Sequence, residues 1–271
     1  MSRIGIELLS VFGLDPVRHV ALAGELGCGH ISCATIQSPF NPHGCPAWSL
    51  RDDPALVRAT RDALREHGVS ISLAEGFAVR PGQAIADKAR DMDLMAELGA
   101  RGLGAVSMEP DASRADDEFA RLAEMAGERG LLATIEFAPC QVIADLAQAL
   151  DLVRRIDAAH FRVLFDAMHF FRSGGSVAEI AALDPALIGY AQLCDVPLMA
   201  QVPDYIDEAM FRRLRPGEGE LPLAAFVAAL PRDIPIGLEL PNLAAAEAGT
   251  APIDWLRPAV AAARALVGRG S

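Results

Sequence analysis

Four polar residues in the second half of the chain each interrupt or close an apolar, strand-like run. Glu136 ends the run that starts at Leu131, Asp166 ends the one from Phe161, Gln192 lies in Leu187–Cys194, and Glu239 lies in Pro235–Leu240. If these runs are neighbouring strands, their axes are just under about 5 Å apart, so four such side chains at one height converge on a volume the size of a hydrated cation. Three carboxylates left there alone repel one another, and a divalent metal resolves the conflict. Carboxylate and amide oxygens are hard donors that suit Mn2+ or Mg2+, with Co2+ or Zn2+ as alternatives, whereas zinc more typically recruits His or Cys. Taken singly, each residue is an ordinary strand-end group pairing with an arginine or capping a helix. Their succession is what points to metal. His169 follows Asp166 by three positions and falls at the same strand end, where it can contact substrate, orient a ligand carboxylate, or simply pack against Phe170 and Phe171.

These side chains need a scaffold that brings strand ends together. Eight short apolar runs begin at Ile4, His30, Ser70, Gly102, Leu131, Phe161, Leu187 and Pro235. They alternate with eight amphipathic runs: Pro16–Leu26, Pro54–His67, Ala84–Leu98, Ala115–Arg129, Val142–Ile156, Val177–Leu183, Leu221–Leu230 and Pro252–Val267. Gly27, Gly68, Gly99 and Gly130 follow four of these as C-terminal stops. Apolar strands alternating with helices require a parallel sheet covered by helices, and eight units within 271 residues predict a closed (β/α)8 TIM barrel, a single domain over residues 1–271. An open doubly wound sheet is the rival, but no G-x-G-x-x-G opens a helix here. Two segments fall outside the repeat, Gln37–Leu50 and Pro197–Glu220. Both follow strands and are expected on the catalytic rim.

Composition narrows the partners. The formal net charge of −12, from 36 acidic and 24 basic residues, opposes binding to a phosphate backbone, so no nucleic acid is expected. Lys88 is the sole lysine, in a helical run, which disfavours Schiff-base chemistry. Five scattered cysteines with no C-x-x-C pair suggest neither a disulfide framework nor a zinc knuckle and suit a cytoplasmic protein. Neither a signal peptide nor an apolar run near the ~20 residues that span a bilayer is visible, so no membrane partner is expected.

With Glu136, Asp166, Gln192 and Glu239 on strands five to eight, Asp-x-x-His at Asp166 and His169, and Pro-Gly-x-Gly at Pro216–Gly219, the chain resembles the xylose isomerase-like TIM-barrel superfamily. That group includes sugar isomerases and epimerases, ketoinositol and dehydroshikimate dehydratases, and endonuclease IV. The resemblance covers nearly the whole chain and implies that those four residues hold the metal. It departs at two places. Cys194 stands where many epimerases of the group carry a lysine, and Ala138 stands where some dehydroshikimate dehydratases carry a histidine, although other dehydratases share glutamine at strand seven. Endonuclease IV-like enzymes need further histidine ligands that this chain does not offer at strand ends.

The chemistry implied is removal of a proton next to a carbonyl, with the metal stabilising the enediolate and Glu136 and Glu239 facing each other as bases. His169 and either Arg213 or Arg215 would orient the substrate, and Trp48, Glu75 and Arg80 would build its specificity wall. The leading expectation is an isomerase or epimerase of a small polyhydroxy carbonyl compound. Dehydration of a cyclic keto compound such as 3-dehydroshikimate or a ketoinositol is the alternative, and a non-catalytic sugar-binding barrel is the reading from another class. Related barrels suggest a homodimer or homotetramer.

Overall fold

In the computed structural model, which describes residues 2–269, eight parallel strands close in sequence order. They are β1 (Ile4–Ile6), β2 (His30–Cys33), β3 (Ser70–Val79), β4 (Gly102–Ser107), β5 (Leu132–Glu136), β6 (Phe161–Asp166), β7 (Ile188–Leu193) and β8 (Ile236–Leu238). Closure is made by β8 against β1, with Gly5 opposite Gly237. The predicted (β/α)8 barrel is therefore present.

The helices form where capping and periodicity say they should. Asp15 and Asp53 accept from helix backbone amides and are followed by Pro16 and Pro54 at the first turn, where a missing N–H costs nothing. Asp111 and Asp145 cap two more. Gly68 takes the left-handed conformation that lets the helix Pro54–His67 turn into β3. The inner faces of these helices bury Val20, Met92, Phe119, Leu152, Phe226 and Val260 against the barrel. A separate cluster of Leu73, Leu164 and Tyr190 fills the barrel interior.

Three short helices break the predicted alternation: Ala167–Arg172, Tyr205–Phe211 and Leu243–Glu247. Each has five to seven residues, too few for an apolar period to repeat. They follow β6, β7 and β8, so they cluster on the rim where the donors sit. Boundaries also move, as at the helix expected from Ala84, which begins as a 3-10 turn over Ile85–Lys88 and becomes α-helical at Ala89. The chain leaves β1 after Ile6 into a 3-10 turn over Leu8–Val11, and the helix expected from Val142 starts at Leu146, after the Asp145 cap. Among the described residues, no helix is long and apolar enough to cross a membrane.

Candidate active site

The barrel register sets the donors at one height. Asp166 pairs with Gln192 across β6 and β7, and Gln192 pairs with Gly237 across β7 and β8, which puts Glu239 just beyond the strand end. Glu136 closes β5. Asp166, Gln192 and Glu239 are buried, while Glu136 is half-buried. The Gln192 Nε2 donates to Glu239 Oε1 over 3.3 Å. One oxygen each of Glu136 and Asp166 and one ring nitrogen of His169 lie within 4.8 Å of one another.

Local structure aims these groups. Asp166 Oδ1 accepts from the His169 backbone N–H at 2.8 Å and so caps the helix Ala167–Arg172. That turn carries the His169 ring into the site, where Nδ1 meets the Tyr205 hydroxyl at 2.6 Å and Nε2 lies 3.6 Å from Glu136. On the far side of β7, Asp195 accepts from the backbone of Gly217 and Leu221 and holds the Pro216–Gly219 turn. A β-carbon at Gly219 would lie 2.3 Å from Asp195 Oδ1, which explains the second glycine of that motif.

Arg213 enters between the donors. Its Nε donates to Ala209 O at 2.8 Å, and Nη1 donates to Asp166 Oδ2 at 2.5 Å while lying 2.9 Å from Glu239 Oε2. One positive group therefore already touches two of the carboxylates. It does not balance them all. Burial, with Glu239 and Asp166 adding to it, holds Glu136 well above the usual carboxylate range. Burial also pushes Glu239 up to about 8 against the pull of Arg213. For Asp166, burial is outweighed by Arg213 and His169, and the carboxyl stays below its ordinary value. His169 is pushed down to about 4 by burial and adds no charge at neutral pH.

Two observations test whether a divalent cation fits. Three buried or half-buried carboxyls face a single guanidinium, so full ionisation of the ring would leave an excess of negative charge that burial makes costly, and without a second cation Glu136 and Glu239 are held toward the protonated form. The Gln192 Oε1 is buried without a hydrogen-bond partner and belongs to the same ring. Hard oxygen donors with a spare lone pair suit Mg2+ or Mn2+. Glu136, Asp166, Gln192 and Glu239 are the residues able to hold it, with His169 adjacent.

A cavity of about 780 Å³ opens above the ring and is lined by Glu75, Arg80, His169 and Arg213 among others. Two residues expected at the substrate lie elsewhere. Trp48 donates its indole N–H to Gly13 O at 3.0 Å and packs on the core, because the loop after β2 folds back on the barrel rim. Arg215 pairs with Glu218 and stacks 4.7 Å above the Trp255 ring, outside the cavity lining.

A second polar cluster escaped sequence reading. Glu7 is fully buried, accepts from the Tyr190 hydroxyl at 2.7 Å, and sits beside Glu75, which accepts from Ser32. Tyr190 in turn meets Ser72 at 2.9 Å. The signal was available, since Glu7 ends an apolar strand as Glu136 does. Gly237 leaves the room, for a β-carbon there would lie 1.5 Å from Glu7 Oε1.

With this geometry in place, comparison with known proteins gives a consistent picture. The profile of the family described as xylose isomerase-like TIM barrel matches residues 18–259. The 3-dehydroshikimate dehydratase of Pseudomonas aeruginosa PAO1 is 34% identical over 156 residues, covering 55% of this chain and 24% of that protein. The chain spans about a quarter of the length of the curated relatives it matches. The solved structure of the IOLI protein with a bound zinc atom superposes with a TM-score of 0.81 at 17% identity, covering 100% of this chain and 99% of that one. D-psicose 3-epimerase, solved in the presence of D-fructose, gives 0.73 at 15% identity, with 99% and 100% covered. At such identities these two structures attest the fold alone.

Proposed function

Because the chain belongs to the xylose isomerase-like TIM-barrel family, we propose that it is a divalent-metal-dependent isomerase or epimerase that removes a proton next to the carbonyl of a hydroxylated, sugar-like compound. The observation that carries this reading is the convergence of Glu136, Asp166, Gln192 and Glu239 at the ends of four consecutive strands, with one guanidinium among three carboxyls. A Mn2+ or Mg2+ held by Glu136, Asp166, Gln192 and Glu239 would supply Lewis-acid stabilisation of developing negative charge on the substrate. The residues do the rest. Glu239 and Glu136 come from strands on opposite sides of Asp166 and Gln192, so one takes the proton and the other returns it. Arg213 and the neutral His169 orient the carbonyl and its neighbouring hydroxyl, and the Tyr205 hydroxyl at His169 Nδ1 fixes the ring.

A second reading keeps the same first step and differs in its end. If the enolate expels a β-hydroxyl, the site is a dehydratase of a cyclic keto compound, a reading favoured by Gln192 and by the relative named 3-dehydroshikimate dehydratase. Metal analysis of protein purified without chelator tests what both share. Near-stoichiometric manganese or magnesium is expected, lost in Glu136→Ala and in Asp166→Ala. No bound metal after addition in excess overturns the reading. Solvent-deuterium exchange into a keto sugar, abolished in Glu239→Gln, then separates epimerisation from dehydration, which instead yields a new enone absorbance.

A further inference from the structure

The cavity above the ring is polar at one end and apolar over most of its remaining wall. Its volume of about 780 Å³ lies in the upper part of the ~300–1,000 Å³ range that encloses drug-sized ligands. Chain position sorts the lining. Glu136, Gln192 and Glu239 stand at strand ends, whereas Phe40, Met108, Val142, Ile206 and Phe211 come from segments beyond those ends, on the rim. Phe40, in the loop after β2, and Phe211, at the end of the helix Tyr205–Phe211, meet edge to face with centroids 4.8 Å apart. Four of the seven large apolar residues exposed among the described residues, Phe40, Met108, Val142 and Ile206, line this one cavity. Exposed apolar surface gathered at one place marks a surface that something covers.

A polyhydroxy chain is a poor occupant. Hydroxyls pressed against Phe, Met and Val side chains lose water without gaining partners. Resting on the proposed enediolate chemistry for its reactive end, the geometry points to an amphipathic substrate: an α-hydroxycarbonyl head at the carboxylate ring and an aromatic or similarly flat apolar group against Phe40, Met108 and Phe211. The wall selects for the apolar group, and Phe211 with Met108 sets its placement. This keeps the hydroxylated carbonyl of the proposed function at the reactive end and replaces the rest of the expected polyhydroxy compound with an apolar group. A second copy of the chain is the competing occupant of the same rim.

Hydroxamates, which present the chelating oxygens of an enediolate, separate the two parts of the claim. Binding of acetohydroxamate and of phenylacetohydroxamate to the manganese-loaded protein is measured by calorimetry, together with methyl NMR of 13C-methionine-labelled protein. The phenyl compound is expected to bind at least about tenfold tighter and to shift the Met108 and Met210 methyl signals through its ring current. Met108→Gln, at an exposed position and close in shape, and Phe211→Ala are each expected to reduce the affinity ratio of the two probes. Equal affinities, with the methyl signals unmoved, overturn the apolar subsite while leaving the metal reading intact. Phenyl-dependent methyl shifts without any effect of manganese keep the subsite and overturn the metal reading. No binding of the phenyl probe, with sedimentation showing a dimer that Met108→Gln dissociates, assigns the rim to a second copy and overturns the proposal.

Discussion

Two carboxylate clusters share the inside of this barrel, and they are wired differently. Glu7 and Glu75 lie among hydroxyls: Tyr190 donates to Glu7, Ser32 to Glu75, and Ser72 backs Tyr190. Glu136, Asp166 and Glu239 have no hydroxyl donors of that kind and meet a guanidinium and an amide instead. Carboxyls that face each other among neutral donors, with no cation among the groups that shift them, relieve burial by keeping a proton. Carboxylates gathered around a cation relieve it by sharing positive charge. The same residue type at the ends of strands in one barrel thus lies among neutral hydroxyls in one cluster and against a guanidinium in the other. What decides is the neighbouring side chains.

The strongest way to break this contrast is to remove the cation. Arg213→Met leaves Asp166 and Glu239 buried without a counter-charge, and loss of one partner from a buried pair costs about 3–5 kcal/mol. Chemical denaturation of the metal-free variant is expected to show that loss, and excess Mn2+ is expected to restore much of it because it replaces the missing charge. Arg213→Lys, which keeps a charge but not the second arm, is expected to fall in between. A metal-free Arg213→Met as stable as the parent would mean that Asp166 too keeps a proton without cost and that the two clusters do not differ.

The second test titrates the other cluster. Burial, with Glu75 and Glu239 adding to it, holds the Glu7 carboxyl well above its ordinary range, against the hydrogen bonds from Tyr190 and Ser32. A folded-state pKa above the unfolded one means that the contribution to stability is complete below about pH 4.3 and declines as pH rises toward the folded value, by up to ~1.4 kcal/mol per unit. Glu7→Gln keeps the acceptor for Tyr190 and cannot ionise. Its stability relative to the parent, measured on metal-free protein, is therefore expected to grow more favourable from pH 5 to about pH 8. A difference that does not vary with pH would show Glu7 to be ionised throughout, as Asp166 is held to be by Arg213.

How these clusters could be read from the sequence differs in the same way. The ring was legible because its members recur at the ends of four successive strands and so reinforce one another. Glu7 and its pairing with Glu75 were not, because the partners Tyr190, Ser32 and Ser72 come from β7, β2 and β3, at distances in sequence that no period reports; Glu75 alone was legible as part of the cavity wall. The strands and longer helices were legible through alternation and through caps such as Asp15, Asp53 and Gly68. The three helices of five to seven residues on the rim were not. They matter most for substrate, since Tyr205 and Phe211 ride on one of them. Arg213 was named together with Arg215, but spacing alone does not choose between them. The folded contacts do: Arg213 meets Asp166 and Glu239, while Arg215 turns to Glu218 and Trp255.

That choice supplies the smallest effect and a useful control. Arg215 points away from the cavity, pairs with Glu218 and lies over the Trp255 ring. A partly exposed ion pair contributes about 0–1 kcal/mol and an exposed cation–π contact about 0.5–1 kcal/mol. Arg215→Ala is thus expected to lower stability by no more than roughly 1–2 kcal/mol, with metal content and the affinity ratio of the two hydroxamates unchanged. Arg213, two residues away, is expected to move all three. If Arg215→Ala instead weakens hydroxamate binding, the loop after β7 rearranges when the cavity fills, and the guanidinium that now stabilises Asp166 and Glu239 shares its task with a neighbour.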